Sequence, residues 1–173
     1  MKRDFTPLLL GRDLRSIARA NEVVRSVNDQ QSFDDLFVLL LHHDRLLVMR
    51  TADAIEKITA TQPAYLQPHK DQLLSLLRSA LDKELKWHLA LLIPRVSLTP
   101  DELENVWGVL SYWLQNPNES KIVRVNSLQG LHELSVKNPS LSKAFDRIVD
   151  SVRHVMIPSL QARIKKLTKE KKK

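Results

Sequence analysis

The residues with the clearest chemical potential lie in the stretch "HDRLLVMRTADAIEKI", from His43 to Ile58. Asp44 and Arg50 stand six residues apart in it, a spacing that does not place two side chains on one helix face. His42 and His43 are neighbours, and adjacent helical residues point about 100° apart, so the two imidazoles are poorly placed to bind one ion. The chain has no pair of histidines at positions i and i+4, the spacing of zinc-binding helices. The sequence therefore predicts no metal site.

Motifs of catalysis are missing as well. The chain has no cysteine and no G-x-S-x-G motif, and its three glycines (Gly11, Gly108 and Gly130) are too far apart to form a phosphate-binding loop. The acidic pair at Asp101 and Glu102 stands at a predicted helix start, where carboxylates stabilise free backbone amides. We therefore expect no catalytic residue, no cofactor and no enzymatic activity. A deep polar pocket with converging carboxylates would revive an enzymatic interpretation.

Composition favours an all-α protein, because the chain of 173 residues has only 3 glycines and 5% aromatic residues. The net charge of +7 is concentrated at the end, where "RIKKLTKEKKK" holds seven Lys/Arg and one Glu. We predict a single domain over residues 1–162 and a frayed basic tail over residues 163–173. No uncharged run approaches the roughly 20 residues that span a bilayer. Together with the lack of cysteine, this predicts a cytoplasmic protein without a membrane partner.

Four segments of the chain repeat one pattern. Each begins with Asp or Asn, carries Arg or His six residues later, and continues with mostly apolar residues at offsets 7, 10, 11 and 14, which form a helical stripe. The segments start 31, 38 and 36 residues apart. Their first and seventh residues are Asp13 and Arg19, Asp44 and Arg50, Asp82 and His88, and Asn118 and Arg124.

Amphipathic helices are predicted before three of the segments, over Phe33–His43, Gln67–Ala80 and Pro100–Gln115. Ser32 and Thr99 are the predicted N-caps of the first and last of them. A unit of two helices cannot bury both apolar faces alone and must stack on its neighbours. The repeats therefore predict an α-α superhelix of about four helical hairpins, closed by a capping helix over Ser142–Thr168.

The pattern resembles the HEAT-repeat family of the HEAT/armadillo class over about residues 12–139. The resemblance rests on the Asp/Arg pairs, the apolar columns and the prolines near the unit ends. It implies a ladder in which each acid caps its second helix and each arginine reaches an acid in the next repeat. The ladder residues would be Asp13, Arg19, Asp44, Arg50, Asp82, His88, Asn118 and Arg124.

Two residues are expected to disturb the second helices. Pro94 removes a helical hydrogen bond, which predicts a kink or an early end near Leu92–Ile93. Gly130 occupies the same column in the fourth segment and has low helix propensity, so an irregular helix is expected there too.

The leading hypothesis is a protein-interaction or scaffold module that uses a concave face lined by the second helices. Trp87 borders the apolar stripe and is the first candidate for a partner contact, with Met49, Asp53 and Glu56 as further candidates. The columns expected on this face are mixed or acidic, unlike a DNA-binding groove. They are Glu22, Asp53, Leu91 and Ser127, and Arg25, Glu56, Pro94 and Gly130.

The alternative is a nucleic-acid-binding module that uses the basic first repeat and the lysine-rich tail. Phosphate groups would be contacted by two end patches rather than by a continuous stripe. The residues of these patches are Arg12, Arg15, Arg163, Lys165, Lys166 and Lys169.

Overall fold

The computed structural model describes residues 3–10 and 16–170, and every regular element within them is helical. The all-α prediction is confirmed. The chain divides into two compact units, Met1–His69 and Lys70–Lys173, where the sequence predicted one domain over residues 1–162. Among the described residues, no helix is both long and apolar enough to cross a membrane.

The first unit contains two helical pairs. Its helix α4 packs against α2, against α3 and against the 3₁₀ turn that follows α3. Phe33, Leu36 and Ile55 are fully buried in its core. The helices are α1 (Thr6–Leu9), α2 (Ser16–Ser26), α3 (Gln30–Phe37) and α4 (Arg45–Thr59), and 3₁₀ turns cover Val38–Leu41 and Pro63–His69.

Helix α3 begins three residues before the predicted start. Its N-cap is Asp29, whose carboxylate accepts a hydrogen bond from the Ser32 amide at 2.7 Å. Ser32, the predicted cap, is the third helical residue and completes the capping box by accepting a bond from the Asp29 amide. The prediction missed Asp29 because both residues are good N-caps and sequence alone does not rank them.

The second unit contains three helical hairpins. Helix α7 has the predicted bounds and the predicted cap at Thr99, and α6 ends at Leu92, as expected from Pro94. The helices are α5 (Lys70–Ser79), α6 (Lys83–Leu92), α7 (Pro100–Gln115), α8 (Lys121–Lys137), α9 (Ser142–Val152) and α10 (Pro158–Glu170), with 3₁₀ turns at Ile93–Arg95 and Pro139–Leu141.

The end of the chain differs from what the sequence predicted. The single capping helix predicted over Ser142–Thr168 is two helices, because the chain turns after Val152 and restarts at Pro158, a residue suited to the first helical position. The basic segment is helical as far as Glu170, and Ile164 and Leu167 in it are buried. Residues 163–170 therefore continue α10 in the second unit, where the sequence predicted a tail.

The hairpins of the second unit run in the same direction. The contacts between α6 and α8 advance along both helices together: Lys86 meets Glu119, Ala90 meets Gly130, and Pro94 meets Lys137. The starts of α5 and α7 are joined by Lys70 and Glu102, and the ends of α7 and α9 by Gln115 and Ser151. Helix α8 is central, since it packs against α6, α7, α9 and α10.

Helix caps make the stability of this fold sensitive to acid. The pKa of Asp44 is held below its ordinary value of 3.8, chiefly by the hydrogen bond that its carboxylate accepts from the Leu47 amide. The pKa of Glu102 is held below 4.5, chiefly by its hydrogen bond with Lys70. A carboxyl group with a depressed folded-state pKa stabilises the fold above its unfolded pKa, and this contribution is lost as the pH falls through the folded-state value.

We therefore expect the free energy of unfolding to fall as the pH is lowered through and below 4.5 and 3.8, the unfolded values of these two groups. Asn is also a good N-cap but does not titrate. In the variant Asp44→Asn, the helix should therefore stay capped and the free energy of unfolding should fall less steeply with decreasing pH. Urea unfolding at a series of pH values measures both curves. If the free energy of unfolding fell equally steeply with pH in both proteins, the assignment of this acid sensitivity to Asp44 would be contradicted.

Candidate interaction surface

A row of polar side chains lies along α8 and joins it to the helices on either side. Asn126 donates a hydrogen bond from Nδ2 to the backbone oxygen of Trp87 in α6 at 3.1 Å. Gln129 donates from Nε2 to Glu133 at 2.9 Å and accepts at Oε1 from Arg163 of α10 at 2.5 Å. Asn126, Gln129, Glu133 and Arg163, which we call the polar row, are all partly exposed. The row therefore presents amide, carboxylate and guanidinium groups on the surface of α8 and α10, beside α6.

Trp87, the first predicted partner contact, lies beside the polar row and is half-buried. Its ring is tilted against the imidazole of His88, with 5.5 Å between the ring centroids. One helical turn later, Leu91 is also half-buried. Because Asn126 bonds to the backbone of Trp87, the indole is not needed for that link. The exposed part of the indole can therefore bury apolar area against a partner.

The other predicted contacts, Met49, Asp53 and Glu56, lie on α4 in the first unit and are partly exposed. Their spacing places them on one helix face. Asp53 forms an ion pair with Lys57 at 2.6 Å, one turn further along α4. The sequence grouped these residues with Trp87, whereas the structure assigns them to the first unit and Trp87 to the second.

Of the residues expected to line the concave face in the second unit, only Leu91 is partly exposed. Ser127, Gly130 and Pro94 are all buried. Partly exposed positions of α8 include Asn126 and Gln129, each one position earlier than a predicted residue. A shift of one residue rotates a helical position by about 100°, which is enough to exchange a buried face for an exposed one.

The predicted ladder acids have different positions. Asp44 caps α4 as predicted, since its Oδ1 accepts a hydrogen bond from the Leu47 amide at 2.9 Å. Asp82 occupies the N-cap position of α6 without a side-chain capping bond. Asn118 lies in the turn before α8, whose N-cap is Ser120. Asp13 lies outside the described residues.

The ladder arginines contact backbone carbonyls at the ends of helices. Arg50 donates from Nη1 to the oxygen of Leu9, the last residue of α1, at 2.5 Å. Buried Arg124 donates from Nε to the oxygen of Leu114, in the last turn of α7, at 2.8 Å. The carbonyls of the last helical turn have no partner within the helix, and a guanidinium supplies one. For Arg124, the acceptor is thus the Leu114 carbonyl, whereas the resemblance implied an acid of the next repeat.

The two other residues at the seventh position differ from each other in burial. Arg19 is exposed on α2. His88, the ladder residue predicted for the third segment, is buried in α6 at 5% exposure, where Trp87 packs against its ring.

The predicted phosphate contacts are described only in the second unit. Arg12 and Arg15 lie outside the described residues. Arg163 is held by Gln129, and Lys165, Lys166 and Lys169 are exposed on α10. These three lysines project from a helix that is anchored by buried Ile164 and Leu167.

No group of three or more His, Asp or Glu side chains that could hold a metal ion occurs among the described residues. The rings of His42 and His43 are stacked, with 4.1 Å between their centroids. A cleft of about 240 Å³ opens where the connection after α6 meets the end of α8. Its lining, which is not a set of converging carboxylates, is Val96, Ser97, Leu98, Leu103, Leu134, Lys137 and Asn138.

Sequence analysis missed three residues of the polar row: Asn126, Gln129 and Glu133. A usable signal exists, because these polar residues recur at helical spacing along α8. Comparisons of the chain with protein families, with curated proteins and with solved structures find no match.

Proposed function

We propose that the chain is a non-enzymatic protein-interaction module of the HEAT-like α-solenoid kind, which binds a protein or peptide partner through its second helices. Support comes from the second unit, in which parallel hairpins pack side by side and present Trp87 next to the polar row. Repeated helical pairs of this kind offer extended binding surfaces.

The chemistry of this surface suits a peptide. Tryptophan and arginine are the residues most often found at the energetic centre of protein interfaces. Here two side chains of α8 hold such residues in place. Asn126 bonds to the backbone of Trp87, and Gln129 accepts a hydrogen bond from the guanidinium of Arg163. A rigid surface loses little conformational entropy on binding. The half-buried Trp87 is the single observation on which the proposal rests.

The test is selection of binding peptides from a displayed random library, with the whole chain as bait, followed by calorimetry on the selected peptides. Trp87→Ala should weaken binding by about tenfold or more, the range of an interface hot spot. Tyr112→Ala is the matched control, because Tyr112 is an exposed aromatic residue on α7, outside the second helices. Equal affinities for the two variants would overturn the proposal.

A second candidate function, binding of nucleic acid, is favoured by the exposed lysines of α10. Lys165, Lys166 and Lys169 project from an anchored helix rather than from a tail, so little order is lost when phosphates bind.

Gel shifts with duplex and single-stranded nucleic acid at about 0.15 M salt test this candidate. The double variant Lys165→Glu and Lys166→Glu should abolish binding. The control is Lys121→Glu with Lys143→Glu, which changes the net charge equally at two other exposed positions. An equal loss in both would indicate only a response to net charge and would reject α10 as the binding site.

A further inference from the structure

The turns within the hairpins of the second unit lie along one edge. Helices α6 and α8 start at the same edge because their contacts advance in parallel, from Lys86 with Glu119 to Pro94 with Lys137. The end of α9 joins this edge through Ser151, which accepts a hydrogen bond from Gln115 at the end of α7. We call this edge, formed by residues 80–82, 116–120 and 153–157 with the adjoining helix ends, the turn edge.

Large apolar side chains are exposed along the turn edge. Leu81 is 90% exposed and Met156 is 89% exposed, each at the tip of its own turn. Tyr112 and Ile122, on the adjoining helix ends, are 63% and 44% exposed. Of the large hydrophobic residues that are exposed in the described part of this unit, Val136 alone lies elsewhere, at the far end of α8. Single exposed apolar residues are ordinary, but their alignment on one edge is not.

Basic residues accompany these apolar tips. Arg78, Lys83, Lys121 and Arg153 are exposed at the ends of the helices that form the turns. Nearby acids offset them only in part. The side chain of Glu119 is 10% exposed and pairs with Lys86, which is itself largely buried. That of Glu84 is 14% exposed, and its Oε1 lies 4.0 Å from the ammonium of Lys83. Asp82 and Asp150 are exposed, and Asp150 pairs with Arg153 at 2.9 Å.

We propose that the turn edge binds the surface of a membrane that contains anionic lipids. Leu81 and Met156 enter the boundary between headgroups and acyl chains, and the basic side chains meet lipid phosphates. A protein partner would need a separate pocket for each of these nearly isolated tips, whereas a fluid bilayer accepts them at any spacing. The predicted lack of a membrane partner rested on the lack of a spanning segment, which surface binding does not require.

This surface is distinct from the polar row, so the proposal does not depend on the proposed partner-binding function. The test is co-sedimentation of the whole chain with vesicles of phosphatidylcholine alone and of phosphatidylcholine with phosphatidylserine, at about 0.15 M salt. The chain should bind the vesicles with phosphatidylserine at least about fivefold more strongly. The double variant Leu81→Ser and Met156→Ser should lose about tenfold in partitioning.

Val136→Ser is the matched control, because Val136 is also exposed but lies at the opposite end of α8. It should partition like the unaltered chain, and circular dichroism should show that all variants keep their helices. Equal partitioning of the double variant and the unaltered chain would overturn the proposal. Loss of binding in Lys165→Glu with Lys166→Glu alone would also overturn it, by placing the lipid contact on α10. A dimer that the double variant dissociates would identify the edge as a contact between copies of the chain instead.

Discussion

Gly130→Ala is expected to lower the free energy of unfolding by about 2–3 kcal/mol, the upper part of the range for forcing an extra group into a packed core. A Cβ atom built on Gly130 would stand 2.3 Å from the backbone oxygen of Ala90 and 3.2 Å from a methyl group of Leu110. A backbone oxygen cannot rotate away as a side chain can, so α6 and α8 would have to separate. The glycine therefore sets the distance between two neighbouring helices, a role that differs from the helix irregularity predicted from sequence.

Gly108→Ala is the matched control, since Gly108 also lies inside a long helix but has nothing within 4 Å of its missing Cβ. In this exposed position alanine should raise the free energy of unfolding by about 0.5–1 kcal/mol through its higher helix propensity. Urea unfolding followed by circular dichroism measures both changes. If Gly130→Ala were as stable as Gly108→Ala, the close packing of α6 on α8 would be refuted.

The parts of the fold that could be predicted are those set by local chemistry. Thr99 followed by Pro100 and Glu102 specifies a helix start through a side-chain cap, a proline and a capping box within four residues, and α7 begins there. Pro94 ends α6 because it lacks the amide that would continue the helix. Such signals act within one turn of chain and depend little on what packs around them.

Helix α8 shows why the surface was harder to predict. It has neighbours on several sides, namely α6, α7, α9 and α10, so it is buried almost all round and has no single apolar face. Buried Ser127 and Gly130 look like surface residues in the sequence, yet the exposed positions are the neighbouring Asn126 and Gln129. The type of a side chain indicates whether it can be exposed to solvent. Which residues of α8 are exposed depends on how the four neighbouring helices pack against it.

The partners of the ladder arginines could not be predicted for a related reason. A guanidinium has five donors and can bond to a carboxylate or to a carbonyl. Which acceptor Arg124 finds depends on where α7 ends, and that end brings the Leu114 oxygen within 2.8 Å. The repeat pattern thus singled out Arg124, but only the packed structure identifies its acceptor.

Lys86→Met is expected to lower the free energy of unfolding by about 2–3 kcal/mol, because it leaves the Glu119 carboxylate without its ammonium partner. The two side chains form an ion pair between α6 and the turn before α8 and are only 14% and 10% exposed. The Lys86 ammonium also lies 5.5 Å from the centroid of the Trp113 ring, a cation–π contact that is lost in the same variant. Methionine keeps most of the apolar stem, so lost packing contributes little to the expected change.

Lys57→Met is the control for Lys86→Met, because it removes an ion pair that is exposed instead of buried. The difference between the two variants therefore measures the contribution of burial. Lys57 pairs with Asp53 within α4, where the two side chains are 43% and 42% exposed, and its removal should change the free energy of unfolding by no more than about 0.5 kcal/mol. Adding Glu119→Gln to Lys86→Met should restore part of the loss, because the buried charge is then gone. A cost for Lys86→Met no greater than that for Lys57→Met would mean that Glu119 keeps its hydration in the folded chain. The link between α6 and α8 would then depend on Gly130 and Ala90 rather than on charge.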